Sequence, residues 1–108
     1  MIERTSKEHV LKILEKNHNN WNILDIGCNR DAVKFAQTVA DAVDFSNFYK
    51  NKKFILINSK DLPFKDNEFD FVYASHVIEH VDDVSYFIKK NQRISKLGYI
   101  ELPSMLED

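Results

Sequence analysis

The residues best placed to do chemistry in this chain sit directly after short apolar runs. Asp25 and Gly27 close the run Trp21-Asn22-Ile23-Leu24-Asp25-Ile26, and Asp44 follows Val39–Val43. Asn58 and Ser59 follow Phe54–Ile57, and Ser75, His76, Glu79 and His80 follow Phe69–Ala74. A glycine at the end of a strand permits positive φ and lets the backbone pass close to a ligand. A carboxylate at a strand end can accept from the hydroxyl pair of a sugar. An imidazole or carboxylate such as His76, Glu79 or His80 can take up or hand on a proton. Glu79 and His80 are too few ligands for a metal, and no other cluster joins them, so no metal site is expected. Each residue also has a plain structural role open to it. Asp44 can cap the turn that follows it, Phe45 can join the core, and Glu79 and His80 can cap and pack the segment after their strand. Cys28 reads as a small filler rather than a nucleophile. His9 and His18 read as surface residues of the first helix.

The elements that must position these residues alternate. A helix is expected over 6–17, where Thr5 and Glu8 have capping-box spacing and Val10, Leu11 and Leu14 share a face with Ile13 at its margin. Strand 1 covers Trp21–Ile26, and a short helix is expected over Asp31–Thr38. Strand 2 covers Val39–Val43 and ends at Asp44. Ser46–Lys50 is a turn, and strand 3 covers Phe54–Ile57. After a loop through Pro63, strand 4 covers Phe69–Ala74 and is apolar enough to be buried on both faces. A helix over Asp82–Ser95 carries Val84, Phe87, Ile88, Asn91 and Ile94 on one stripe, and strand 5 covers Tyr99–Leu102. Alternation of this kind predicts an α/β fold with parallel strands joined by right-handed crossovers, although the 2-to-3 and 3-to-4 connections are thin for a full helix.

Composition narrows the class. The chain has 108 residues, 44% hydrophobic and 30% charged, with a formal net charge of −2. This is the profile of one globular domain, spanning 1–108, with an N-terminal helix over 1–20 and a core over 21–104. The charge gives no reason to expect a nucleic-acid or membrane-surface partner. No apolar run approaches a membrane span, and the N-terminus lacks the apolar stretch of a signal peptide. A single cysteine forms no internal disulfide, so a reduced, cytoplasmic setting is expected. A dinucleotide fingerprint would need further glycines where Asn29 and Ala32 stand, which argues against a nicotinamide cofactor.

Four segments in register resemble the motifs of class I S-adenosylmethionine-dependent methyltransferases. Ile23-Leu24-Asp25-Ile26-Gly27-Cys28-Asn29-Arg30-Asp31 is similar to the first motif, with Asn29 and Asp31 where that family carries its second and third glycines. Val43-Asp44-Phe45-Ser46 resembles the second motif, Val-Asp-x-Ser. Ile57-Asn58-Ser59-Lys60-Asp61-Leu62-Pro63-Phe64 resembles the third, with Asn58 in the place of an Asp. Leu62-Pro63-Phe64-Lys65-Asp66-Asn67-Glu68-Phe69-Asp70-Phe71-Val72 is very like the signature Leu-Pro-Phe-x-Asp-x-x-Phe-Asp-x-Val of the family branch that includes small-molecule and quinone-type enzymes. Ala74-Ser75-His76-Val77-Ile78-Glu79-His80-Val81 continues it.

The resemblance implies a Rossmann-like, doubly wound sheet of about five strands in the order 3-2-1-4-5, short of the family's seven. It implies S-adenosylmethionine as cofactor, held by Asp25, Gly27, Cys28, Asn29, Asp44, Phe45, Asn58, Ser59, Ser75 and His76. In that picture Phe45 packs over the adenine, Asn58 accepts from its amino group and Ser59 offers a backbone N–H. The Asp31 carboxylate would stand beside the methionine carboxylate. His76, Glu79 and His80 would supply a base or a substrate contact for transfer to a small-molecule acceptor. The alternative is a degenerate methyltransferase-like binding module without catalysis, favoured by Asn29, Asp31, Asn58 and the short C-terminal region. Strand 5 would then be an exposed edge, covered by a second copy, a partner chain or the N-terminal helix.

Overall fold

A computed structural model of the chain describes residues 6–58, 62–74 and 84–100. Helix α1 is Lys7–Asn17, built mostly from good helix formers. It starts one residue later than a Thr5 cap would place it: Ser6 is the N-cap, its side chain accepting from the His9 N–H at 3.2 Å. Val10 and Leu14 are buried, and Leu11 and Ile13 half-buried. His9 is exposed, and His18 caps the C-terminus half-buried, its ring 5.0 Å from that of Phe35.

The strands are β1 Ile23–Ile26, β2 Thr38–Asp41, β3 Lys53–Leu56, β4 Phe71–Ala74 and β5 Gly98–Ile100, with helix α2 Val84–Ile94 between the last two. All four pairings are parallel and the order is β3-β2-β1-β4-β5, as expected of a doubly wound α/β fold. β1 and β4 are buried along their whole length.

Side chains alternate between two cores, as strand geometry requires. Leu24, Ile26, Val72 and Ala74 face the core that includes Phe87 and Ile94 of α2. Ile23, Val39, Phe71 and Tyr73 face the core that includes Val10 and Leu14 of α1. Asp25 lies in register with Val39 and Tyr73 and so faces the α1 side. The Leu62-Pro63-Phe64 segment is tied to the end of α2: Arg93 donates to Asp66 at 2.8 Å and to the Leu62 carbonyl at 3.0 Å, and the Phe69 N–H donates to the Ile94 carbonyl at 3.0 Å.

Two elements depart from the sequence reading. No helix forms over 31–38. Distant side chains hold the segment instead: the Val33 N–H donates to Asp25, the Ala32 N–H to the Tyr49 hydroxyl, and the Lys52 ammonium donates to the carbonyls of Lys34 and Ala36. Val33 and Ala36 are still buried, so their helical spacing reports core contact without a helix. The second departure is strand 2, which ends at Asp41 rather than Asp44. Its ladder with β1 and β3 runs out there, and the Asp41 carboxylate accepts from the Val43 N–H at 3.0 Å, turning the chain outward. Val43, expected inside the strand, is 59% exposed. The other strand limits move by one or two residues, and the expected end of strand 5 at Leu102 lies outside the described residues.

Candidate functional site

Strand order reverses between β1 and β4, the place where open α/β sheets bind ligands. The loop leaving β1 stands over this point. Gly27 has φ 75° and Asn29 φ 49°. Both are left-handed, which costs glycine little and is better tolerated by asparagine than by most residues.

Every backbone N–H from Gly27 to Val33 is committed inside the protein. Those of Gly27 and Cys28 donate to the Ala40 carbonyl at 2.8 and 3.2 Å. Asn29 donates to Asp41 at 2.9 Å, Arg30 to the Asn29 side chain at 2.9 Å, and Asp31 to the Cys28 carbonyl at 2.9 Å. Ala32 donates to the Tyr49 hydroxyl at 3.1 Å and Val33 to Asp25 Oδ2 at 2.8 Å. The Tyr49 hydroxyl in turn donates to the Asn29 carbonyl. Tyr49 and Lys52, both from the β2–β3 connection, thus hold the loop that a crossover helix would otherwise anchor. Neither was singled out by sequence, and nothing local marks them. Asp41 was also passed over, although two acidic residues three apart offered the strand end a choice.

Asp25 is fully buried, and burial pushes its carboxyl up to about 7. The Val33 N–H opposes this shift, Asp31 and Asp41 add to it, and Lys52 opposes it. Asp25 Oδ1 has no hydrogen-bond partner among the described residues. Burial likewise pushes the Cys28 thiol up to about 12, which leaves it protonated and packed in the α1-side core. A protonated, buried thiol is a poor nucleophile.

The remaining predicted residues spread out. Asp44 lies three residues past β2 at the surface, where its carboxylate accepts from the Ser46 N–H at 2.9 Å. The Ser46 hydroxyl and N–H hold it below the usual carboxylate range. Phe45 is half-buried against the α1-side core, with the Arg30 guanidinium 5.6 Å from its ring centre. Asn58 follows β3 and is exposed. Asp25, Gly27, Cys28 and Asn29 are brought together at the end of β1. Ser59, Ser75, His76, Glu79 and His80 lie outside the described residues. Among the described residues, no group of three or more His, Cys, Asp or Glu residues forms a metal site, and no helix is long and apolar enough to cross a membrane.

A family model described as a methyltransferase domain matches residues 6–100, nearly the whole fold just described. The chain belongs to this methyltransferase family. Within it, the chain is 29% identical over 94 residues to a ubiquinone/menaquinone biosynthesis C-methyltransferase UbiE from Rickettsia felis, covering 84% of this chain and 37% of that protein. It is 38% identical over 50 residues to the protein of the same name from Rickettsia typhi, covering 46% of this chain and 20% of that one. The methyltransferase chain therefore spans well under half the length of these curated relatives. Its fold is similar to the crystal structure of a SAM-dependent methyltransferase, possible histamine N-methyltransferase, from Thermotoga maritima. The TM-score is 0.64 at 21% identity, over 79% of this chain and 44% of that one.

Proposed function

We propose that this chain binds S-adenosylmethionine and forms the cofactor-holding part of an enzyme that methylates a small-molecule acceptor. The observation that carries the reading is the left-handed turn at Gly27 and Asn29, which stands at the strand-order reversal over a buried carboxylate with one uncommitted oxygen. Family membership supports the same reading, and the Thermotoga maritima protein, named as SAM-dependent, shares the fold.

When bound, the cofactor supplies a sulfonium whose methyl carbon passes to an acceptor nucleophile, the carbon–sulfur electron pair staying on sulfur. The protein's share is to bind, orient and exclude water. Asp25, Gly27, Cys28 and Asn29 shape the floor of the site. Asp44 holds the ribose from beyond β2, and Phe45, Asn58 and Ser59 border the adenine. By the family resemblance, Ser75 and His76 would meet the sulfonium end, and His76, Glu79 and His80 would supply a base where the acceptor atom carries a proton. We place the protein in the cytoplasm. β5, an outer strand paired on one side with β4, is covered by a second copy or a partner chain.

The second reading is a binding module without transfer. It draws support from the loop N–H groups, all of which are already spent within the protein. Calorimetric titration with S-adenosylmethionine and S-adenosylhomocysteine tests the first reading. Micromolar binding is expected, weakened at least about tenfold by Asp44→Ala through loss of charge-assisted hydrogen bonds. Absence of binding at millimolar ligand overturns it. Binding without conversion of the cofactor, across a panel of small-molecule acceptors, favours the second reading.

A further inference from the structure

Because the connection from β1 to β2 carries no helix, space that a crossover helix would fill stays open beside the Gly27–Val33 loop. α1 roofs this space, leaving a cavity of about 440 Å³. Its polar lining is Lys7, Lys12 and Glu15 from α1, Asp31 and Lys34 from the loop, and Tyr73 from β4. Tyr73 is the register partner of Asp25, so the cavity floor lies at the strand-order reversal.

We propose that this cavity receives the amino-acid end of the cofactor, and that Lys12 and Lys34 bind its carboxylate in place of the loop backbone. The inference rests on the cofactor reading above and assigns residues to a task that the glycine-type motif cannot perform here. Seven consecutive loop N–H groups, from Gly27 to Val33, are engaged within the protein and leave no donor for an incoming carboxylate. A carboxylate arriving there needs cations, and the cavity wall supplies them.

Lys7 and Lys12 have no ion pair among the described residues, and the Lys34 ammonium stands 5.1 Å from the ring centre of Phe35, also in the lining. Lys7, Leu11 and Glu15 share one helical face through four-residue spacing, and Lys12 lies beside Glu15, three residues before it. That face adjoins the one that buries Val10 and Leu14, so the packing of α1 on the sheet aims it at the cavity. The two signs in the lining suit a zwitterion better than a simple anion, with lysines for the carboxylate and Glu15 for the ammonium. A cavity of this size takes a small ligand or a large part of one.

The test compares S-adenosylhomocysteine with 5′-methylthioadenosine, which keeps the nucleoside and thioether but lacks the amino acid, by calorimetric titration of the full chain. The wild-type chain is expected to bind S-adenosylhomocysteine at least about tenfold more tightly. Lys12→Glu and Lys34→Glu are each expected to remove most of that preference while leaving methylthioadenosine affinity unchanged, and Lys12→Arg to retain it. Thermal melts of each variant check the fold. If the preference survives both charge reversals, the carboxylate is held elsewhere and the inference fails while the cofactor reading stands. Equal affinity of the wild type for the two ligands, or equal weakening of both by the variants, also overturns it. If neither ligand binds, the cofactor reading itself falls.

Discussion

Replacing Asp25 with asparagine is expected to flatten the pH dependence of this protein's stability between about pH 4 and 7. Asp25 is fully buried, and its carboxyl moves from an ordinary value of 3.8 to about 7 in the folded chain, chiefly through burial. Below 3.8 both folded and unfolded chains hold the proton, so the group adds no slope. Between 3.8 and about 7 only the folded chain holds it, and stability falls as pH rises. Above that range both forms are ionised and the loss is complete. At about 1.4 kcal/mol per pH unit the whole loss is about 4 kcal/mol. Asparagine keeps an oxygen for the Val33 N–H, so the loop tether survives, and any cost of burying the new amide hydrogens is the same at every pH. Urea unfolding of both chains from about pH 4.5 to 8.5 reads the difference directly. The wild type is expected to lose stability relative to Asp25→Asn across that range and then level off. Parallel curves would show that the Asp25 carboxyl does not hold its proton in the fold, and would refute the assignment of burial as the dominant cause.

Tyr49→Phe removes the hydroxyl that accepts from the Ala32 N–H and donates to the Asn29 carbonyl, so it is expected to cost about 1–3 kcal/mol in urea unfolding. Because that hydroxyl holds the loop over the proposed cofactor site, the same change is expected to weaken S-adenosylhomocysteine binding in calorimetry. The Cys28 thiol, buried and pushed up to about 12, is expected to resist a disulfide exchange reagent at pH 8 in the folded chain and to react promptly in denaturant. Fast reaction under native conditions would mean that the loop opens readily.

Much of the architecture was legible because it is written in local runs. Ile23–Ile26 and Phe71–Ala74 are continuous apolar or near-apolar stretches, and strands buried on both faces have that signature. The stripe of α2 was equally plain: Phe87, Asn91 and Ile94 are buried, with Ile88 partly so. Gly27 and Asn29 were readable as turn residues because glycine and asparagine tolerate left-handed conformations, here φ 75° and 49°, better than other residue types.

Tertiary structure decided what depends on partners far along the chain. Either Asp41 or Asp44 could have ended β2; the choice was made by register, because Ala40 faces Ile26 and Asp41 faces Leu56 as the last paired positions. The stretch 31–38 has spacing that suits a helix, yet it runs irregularly, tethered to Asp25, Tyr49 and Lys52 from elsewhere in the chain. Asp25 stood out in the sequence as a candidate from its motif, but its high pKa arises only when the sheet removes it from water. The composition and periodicity of the chain determine which segments become strands and helices. Where each one stops, and which charges are left facing a cavity, is set by neighbours that only the folded chain brings together.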